Sequence, residues 1–199
     1  MNKNQHLRAI CATSILSALA FVLMLIEFPL SFIIPSFIKL DFSELPALIA
    51  SFAYGPIYGV AVCLIKNLIH LTVGSTGGVG ELSNFILGAI FVFTAGMFYR
   101  KKKTKKFAIV GAAVGALIMA VAGIFTNYYI VYPIYTAFMP MEAIIGMYQA
   151  ILPSVKNLWQ ALIIFNTPFN IFKGLIDALI CALIYKKLSP ILKGTKSKI

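Results

Sequence analysis

The sequence predicts an all-α integral membrane protein with six transmembrane helices, the second one short, and both termini in the cytoplasm. Three observations carry that prediction. The 199-residue chain is 60% hydrophobic with a mean hydropathy of +0.92, a composition suited to lipid as solvent. Its apolar residues fall into runs near the ~20 positions a helix needs to cross the hydrocarbon. Thirteen of the seventeen Lys and Arg are confined to Lys3–Arg8, Arg100–Lys106 and Lys186–Lys198, the pattern by which cytoplasmic segments collect cations. Charged residues make up only 12%, below the roughly 25% of soluble domains, so residues 1–199 read as a single membrane domain. The net charge of +11 is then a matter of topology and anionic lipid heads, with no nucleic-acid partner implied.

Each element follows in order. Leu7 to Ile26 is the first span. Its basic start and the small-x-small Ala18-Leu-Ala20 imitate a signal peptide, but the apolar run continues through Ile26, which marks a retained helix. Glu27 to Glu44, interrupted by Pro29 and Pro35, is an external loop. Leu45 to Tyr54 is the short second helix, ended by Gly55-Pro56. Ile57 to Val73 is the third, followed by a Gly-rich turn from Gly74 to Gly80. Glu81 to Tyr99 is the fourth. Phe107 to about Ala137 is the fifth, with Gly111 and Gly115 where another helix can approach closely. Pro140 to Asn157 is a second external loop, and Leu158 to Leu188 is the sixth helix, with a bend expected at Pro168. Placing the basic linker inside puts both termini inside and the three loops outside.

In that arrangement most polar groups of the spans lie in the outer half. Lys66, Asn67 and His70 are on the third helix, Glu81 and Asn84 on the fourth. Asn127 lies on the fifth beside Tyr128, Tyr129 and Tyr132. Asn166, Asn170, Lys173 and Asp177 form one stripe on the sixth. Ionisable groups in lipid cost several kcal/mol, on the order of 3 at a helix centre, and mark functional sites by default. A proton relay or channel needs polar groups through the inner half too, where only Asp177 stands clearly. A closed-bottomed pocket open to the exterior fits better. Structural alternatives stay open for individual groups. Glu81 can cap its helix, Lys66 can snorkel outward, and Lys173 and Asp177 can pair at i, i+4. With Asp41, Glu44 and Glu81 set against Lys66 and Lys173, the pocket is nearly neutral, which suits a flat, largely apolar ligand with several hydrogen-bonding groups.

No G-x-x-x-x-G-K-[ST], H-E-x-x-H or G-x-S-x-G motif occurs. Cys11, Cys63 and Cys181 are isolated and have no metal-like spacing. These absences point away from an enzyme and toward a binding protein that borrows its energy from partners, with no cofactor expected. A lipid-modifying enzyme using Glu81 and His70 is the alternative from another class.

Four segments together resemble a known family: Lys39-Leu-Asp-Phe-Ser-Glu-Leu-Pro-Ala-Leu-Ile-Ala50, Tyr54-Gly-Pro-Ile-Tyr-Gly59, Leu64-Ile-Lys-Asn-Leu68 and Gly80-Glu-Leu-Ser-Asn-Phe85. With Asn127-Tyr-Tyr-Ile-Val-Tyr-Pro-Ile-Tyr135 and Pro168-Phe-Asn-Ile-Phe-Lys-Gly174 they are similar to the substrate-binding S-components of energy-coupling factor (ECF) vitamin transporters, closest to the riboflavin-specific members. The resemblance implies high-affinity riboflavin binding and uptake in a bacterial cell membrane, with a coupling transmembrane subunit and two ABC-type ATPases as partners. An S-component for another vitamin or heterocycle is the nearest alternative. It implies that the isoalloxazine ring lies between the first external loop and aromatic residues of helices four to six. The ribityl hydroxyls would meet Asn127, Asn170 and Lys173. Leu40, Asp41, Glu44, Lys66, Asn67, Glu81, Asn84 and Tyr128 complete the expected substrate-binding set. The family's Ala-x-x-x-Ala docking patch corresponds here to Ser14-Ile-Leu-Ser-Ala18, so Ser14 and Ala18 are the expected contacts to the coupling subunit.

Overall fold

Apolar runs separated by breakers become helices joined by tight connections. The structure is a computed structural model that describes residues 3–193. Its helices are α1 (Lys3–Leu25), α2 (Glu44–Tyr54), α3 (Pro56–His70), α4 (Val79–Lys101), α5 (Lys105–Tyr135), α6 (Met141–Gln149) and α7, which starts at Leu158 and continues through Thr167–Lys193. The expected basic tail residues Lys196 and Lys198 lie outside the described residues.

α1, α4, α5 and α7 are long and apolar enough to cross a membrane, and α3 is a shorter apolar helix. Their outward faces carry large apolar side chains such as Ile15, Leu117, Phe172 and Leu183, a surface that water does not tolerate at this extent. α2 is short, as the sequence predicts. Gly55, at φ 119°, opens the backbone after it, and Pro56 supplies the first residue of α3, where its missing N–H costs nothing. Gly77 and Gly78 have positive φ in the turn before α4.

Two expectations are corrected. The segment from Pro140 to Asn157 is not wholly a loop: Pro140 precedes a nine-residue helix, α6, so seven helical segments stand among the described residues where six were expected. The loop over residues 27–44 is also more ordered than its prolines suggest. Phe28–Pro29 (β1) and Lys39–Leu40 (β2) form a small antiparallel pair, and a Glu27–Lys39 ion pair fastens its end.

α5 and α7 each contain a π turn, at Asn127–Val131 and Leu162–Asn166. The cause is the same in both. A proline follows two residues after each turn, Pro133 and Pro168. Proline donates no hydrogen bond and its ring crowds the carbonyl four residues back. The residue before each proline therefore bonds five residues back, Tyr132 to Asn127 and Thr167 to Leu162. The Thr167 hydroxyl also donates to the Leu162 carbonyl, at 3.0 Å. The bend expected at Pro168 is thus absorbed one turn earlier.

Small residues bring α4 and α5 together. A Cβ on Gly115 would stand 2.8 Å from the Phe91 carbonyl oxygen, and one on Gly111 would stand 2.9 Å from that of Ala95. The inner core is built on α2, α4 and α5 around Leu48, Phe91 and Ala116, while a second cluster around Ile34, Tyr148 and Leu162 lies under the loops that follow α1 and α5.

Gly115→Ala is predicted to destabilise the protein in detergent by about 1–3 kcal/mol, because backbone rather than a side chain must move. Thermal unfolding measures it. An unchanged melting temperature would mean that α4 and α5 are not in the close contact described.

Candidate functional site

Glu44 opens α2 and Asp41 stands just before it, so the end of the first loop delivers two carboxylates to one place. Lys173 reaches them from α7, its Nζ 2.8 Å from Asp41 Oδ2 and 2.9 Å from Glu44 Oε2. Lys66 reaches them from α3, 2.7 Å from Glu44 Oε1, and also donates to the Ser43 hydroxyl. The Ser43 backbone N–H donates to Asp41 Oδ1 at 2.8 Å. The result is a buried chain of alternating charge, Asp41–Lys173–Glu44–Lys66, that ties the loop to two helices. Burial alone raises the Asp41 carboxyl, but the Lys173 and Lys66 ammoniums outweigh it and hold the group well below the usual carboxylate range. Removing one member of such a chain costs about 3–5 kcal/mol, because its partners keep their desolvation cost without compensation.

Beside this chain opens a pocket with about 1130 Å³ of unfilled space, mouth included. Of the residues expected to bind substrate, Asp41, Glu44, Glu81, Asn84, Asn127, Asn170 and Lys173 line it. Asn127 sits in the α5 π turn and accepts from the Ser83 hydroxyl at 3.0 Å. Asn170 is admitted by Gly123, where a Cβ would stand 3.0 Å from its Nδ2. Phe37, Phe91, Tyr132, Tyr135 and Phe169 supply aromatic walls.

The other expected residues stand elsewhere. Leu40 is buried in the cluster under the loops. Lys66 lies behind the wall, fully buried, and does not snorkel outward. Asn67 donates to the Cys63 carbonyl at 2.8 Å and to Asn84 Oδ1 at 3.4 Å, so it supports Asn84 from behind. Tyr128 is part of an outer aromatic group with Tyr129 and Trp159. Ser14 and Ala18 are exposed one turn apart on α1, and the Ser14 hydroxyl is satisfied by the Ile10 carbonyl.

Two of the structural alternatives also fail. Glu81 does not act as a simple cap: its carboxylate pairs with His70 Nδ1 and accepts from the Thr76 hydroxyl, each at 2.8 Å. Lys173 does not pair with Asp177 but with the two acids across the pocket.

Sequence reasoning gave His70 a role only in the enzyme alternative and missed Tyr148. Tyr148 of α6 donates to Asn166 Oδ1 at 2.7 Å and lies 2.5 Å from the Tyr132 hydroxyl, while Asn166 Nδ2 returns to Tyr132 at 3.5 Å. Each group in this ring donates and accepts once. Burial, with Tyr132 beside it, pushes the Tyr148 phenol well above its usual value, so it remains a donor. Phe37 of the first loop packs on Tyr132, Tyr135 and Tyr148 with ring centroids 5.7–6.3 Å apart. α6 has a single tyrosine, Tyr148, and its approach to the first loop leaves no trace in composition.

Residues 8–185 match the family model described as the ECF transporter, substrate-specific component. The chain is 35% identical to the riboflavin transporter RibU of Staphylococcus aureus, over 97% of this chain and 96% of that protein. It is 34% identical to the riboflavin transporter FmnP of Bacillus subtilis, over 96% of each. A solved S component of a bacterial ECF transporter superposes with a TM-score of 0.74 at 33% identity, covering 94% of this chain and 99% of that one. ThiT from Listeria monocytogenes shares the fold, with a TM-score of 0.63 at 17% identity over 96% of this chain and 99% of its own.

Tyr148→Phe is predicted to lower thermal stability in detergent by about 1–3 kcal/mol, since it leaves the buried Asn166 acceptor without its donor. Tyr135→Phe, whose hydroxyl is outside the ring, should stay within about 0.5 kcal/mol of the parent. Equal effects of the two would dissolve the ring as a distinct stabilising unit.

Proposed function

The chain belongs to the family of substrate-specific components of energy-coupling factor transporters, and from that premise we propose that it is the riboflavin-binding subunit of such a transporter. It is an integral membrane protein and a transport subunit, not an enzyme. The observation that carries the riboflavin reading is the presence of Asn127, Asn170 and Lys173 together in the lining of an aromatic pocket. Two amides and an ammonium suit a row of hydroxyls, and Phe37, Tyr132 and Phe169 suit a flat heterocycle. The names of the relatives at 35% and 34% identity support the same ligand.

In this reading the isoalloxazine ring lies under the first loop and the ribityl chain meets Asn127, Asn170 and Lys173. The pocket wall brings no arginine: the chain's two arginines are Arg8 and Arg100, both remote in sequence from the site. A phosphorylated flavin therefore has no bidentate anion partner there, and riboflavin is the better ligand. The topology is that of six spans, α1 to α5 and α7, with α6 in an external loop and both termini inside. The partners are a coupling transmembrane subunit and two ABC-type ATPases, which supply the energy that this chain's own residues do not. Ser14 and Ala18 form the face on which the coupling subunit docks, because small exposed residues one turn apart let helix backbones approach in lipid.

Riboflavin is predicted to bind the solitary purified chain and quench flavin fluorescence on titration. Asn127→Ala and Lys173→Met should each weaken that binding by roughly 1–3 kcal/mol per lost hydrogen bond. Binding of thiamine with flavin inert would assign the chain to another vitamin. Ser14→Leu and Ala18→Leu are expected to abolish uptake in cells that supply the ATPases and to leave flavin affinity unchanged. Normal uptake by both would move the docking surface elsewhere.

A further inference from the structure

The polar stripe of α7 ends at an anomaly. Asp177 is completely buried, and among the described residues both of its carboxyl oxygens lack a hydrogen-bond partner. A buried carboxyl without partners is among the costliest groups a fold can carry, and its persistence asks for a cause. Asp177 lies one turn beyond Lys173 on the same helix face, at the floor of the pocket. Below it the stripe turns apolar at Cys181, which belongs to the inner core. The Lys173 ammonium meanwhile is held by Asp41 and Glu44, which belong to the end of the first loop and the start of α2.

We infer that Asp177 is the second acceptor of the Lys173 ammonium, taken when the first loop lets go. The inference rests on the reading of the chain as a riboflavin-binding transport subunit. Opening the pocket requires Asp41 and Glu44 to move away from α7. An ammonium left behind without a carboxylate would stand unpaired in a buried pocket wall, and that cost would oppose the movement. A free carboxyl one turn along the same helix lowers that cost. Lys173 swings along its own helix by side-chain rotation, at the i, i+4 spacing that lets the two side chains meet. Glu44 keeps Lys66, so neither acid nor base of the chain is left uncompensated except Asp41, which travels with the loop toward water. Asp177 is thus a positioning residue for opening of the loop, which sets the rates of release and capture alike and leaves the affinity unchanged.

This account separates from a merely structural role by the sign of a stability change. If Asp177 only held the fold together, replacing it would destabilise the protein. As an unpartnered acceptor it destabilises the loop-closed state, so Asp177→Leu should melt at a higher temperature than the parent in detergent. The same variant should bind riboflavin with parental affinity in fluorescence titration, release it more slowly on dilution, and take up riboflavin in cells with the ATPases about tenfold or more slowly, the scale of one charge-assisted hydrogen bond on the release path. Asp177→Glu, which restores a carboxylate one methylene longer, should recover part of the uptake. Absence of riboflavin binding by the parent chain would overturn the ligand assignment first and is read separately. With parental binding intact, uptake by Asp177→Leu at the parental rate would overturn the inference. So would a lower melting temperature or a weakened affinity, which would make Asp177 a structural or a ligand-contacting group.

Discussion

Lys173 carries a full charge into a helix surrounded by lipid, and Asp41 and Glu44 reach across from the first loop to neutralise it. That contact spans 132 residues of sequence between Asp41 and Lys173, so it fixes tertiary structure rather than local shape. Lys66 meets the same Glu44 from α3 and lends the chain a second anchor. In water such pairs contribute little; where burial removes water, each charge depends on its partners being in place. The first loop therefore leaves α7 only if the Lys173 ammonium finds another acceptor. The β1–β2 pair, with its Glu27–Lys39 ion pair, holds the other end of the loop.

The remaining walls are set by backbone constraints. Pro133 and Pro168 each impose a π turn one turn earlier, and each turn contains an asparagine of the site region, Asn127 and Asn166. A π turn changes the helical phase of the residues around it and so redirects side chains, which is why such turns recur at functional sites. Asn127 faces the pocket, and Asn166 joins the Tyr132–Tyr148 ring that holds α6 against α5 and α7. The two irregular stretches thus bring Asn127 and Asn166 into the pocket lining, and α6 braces Tyr132 and Asn166 from behind.

The clusters were legible in the sequence because lipid makes ionisable and amide side chains rare and therefore conspicuous. Asp41, Glu44, Glu81, Asn127, Asn170 and Lys173 stood out for that reason and meet at one pocket. The short α2 and the Gly115 approach were legible because Gly55-Pro56 and a glycine pair have few other uses in apolar helices. Direction was not legible. A lysine side chain can turn to either side of its helix, so nothing local told whether Lys66 snorkels or turns inward, or whether Lys173 chooses Asp177 at i+4 or Asp41 across the fold. α6 escaped because nine residues after a proline are too few for a period to separate a helix from an apolar loop, and with it Tyr148 escaped. Tyr128 misled because a tyrosine one residue from Asn127 lies on a different face, and here that face is the outer aromatic group.

The dependence of the pocket on the ion chain is tested most directly by a double-mutant cycle. Riboflavin affinity is measured for the parent, Asp41→Asn, Lys173→Gln and the double variant, all in one detergent at one ionic strength. If the Asp41–Lys173 contact holds the loop over the ligand, the two losses overlap, and the coupling energy falls at about 1–3 kcal/mol. Additive losses, with coupling below about 0.5 kcal/mol, would mean that the two residues act independently and that the loop is held by something else.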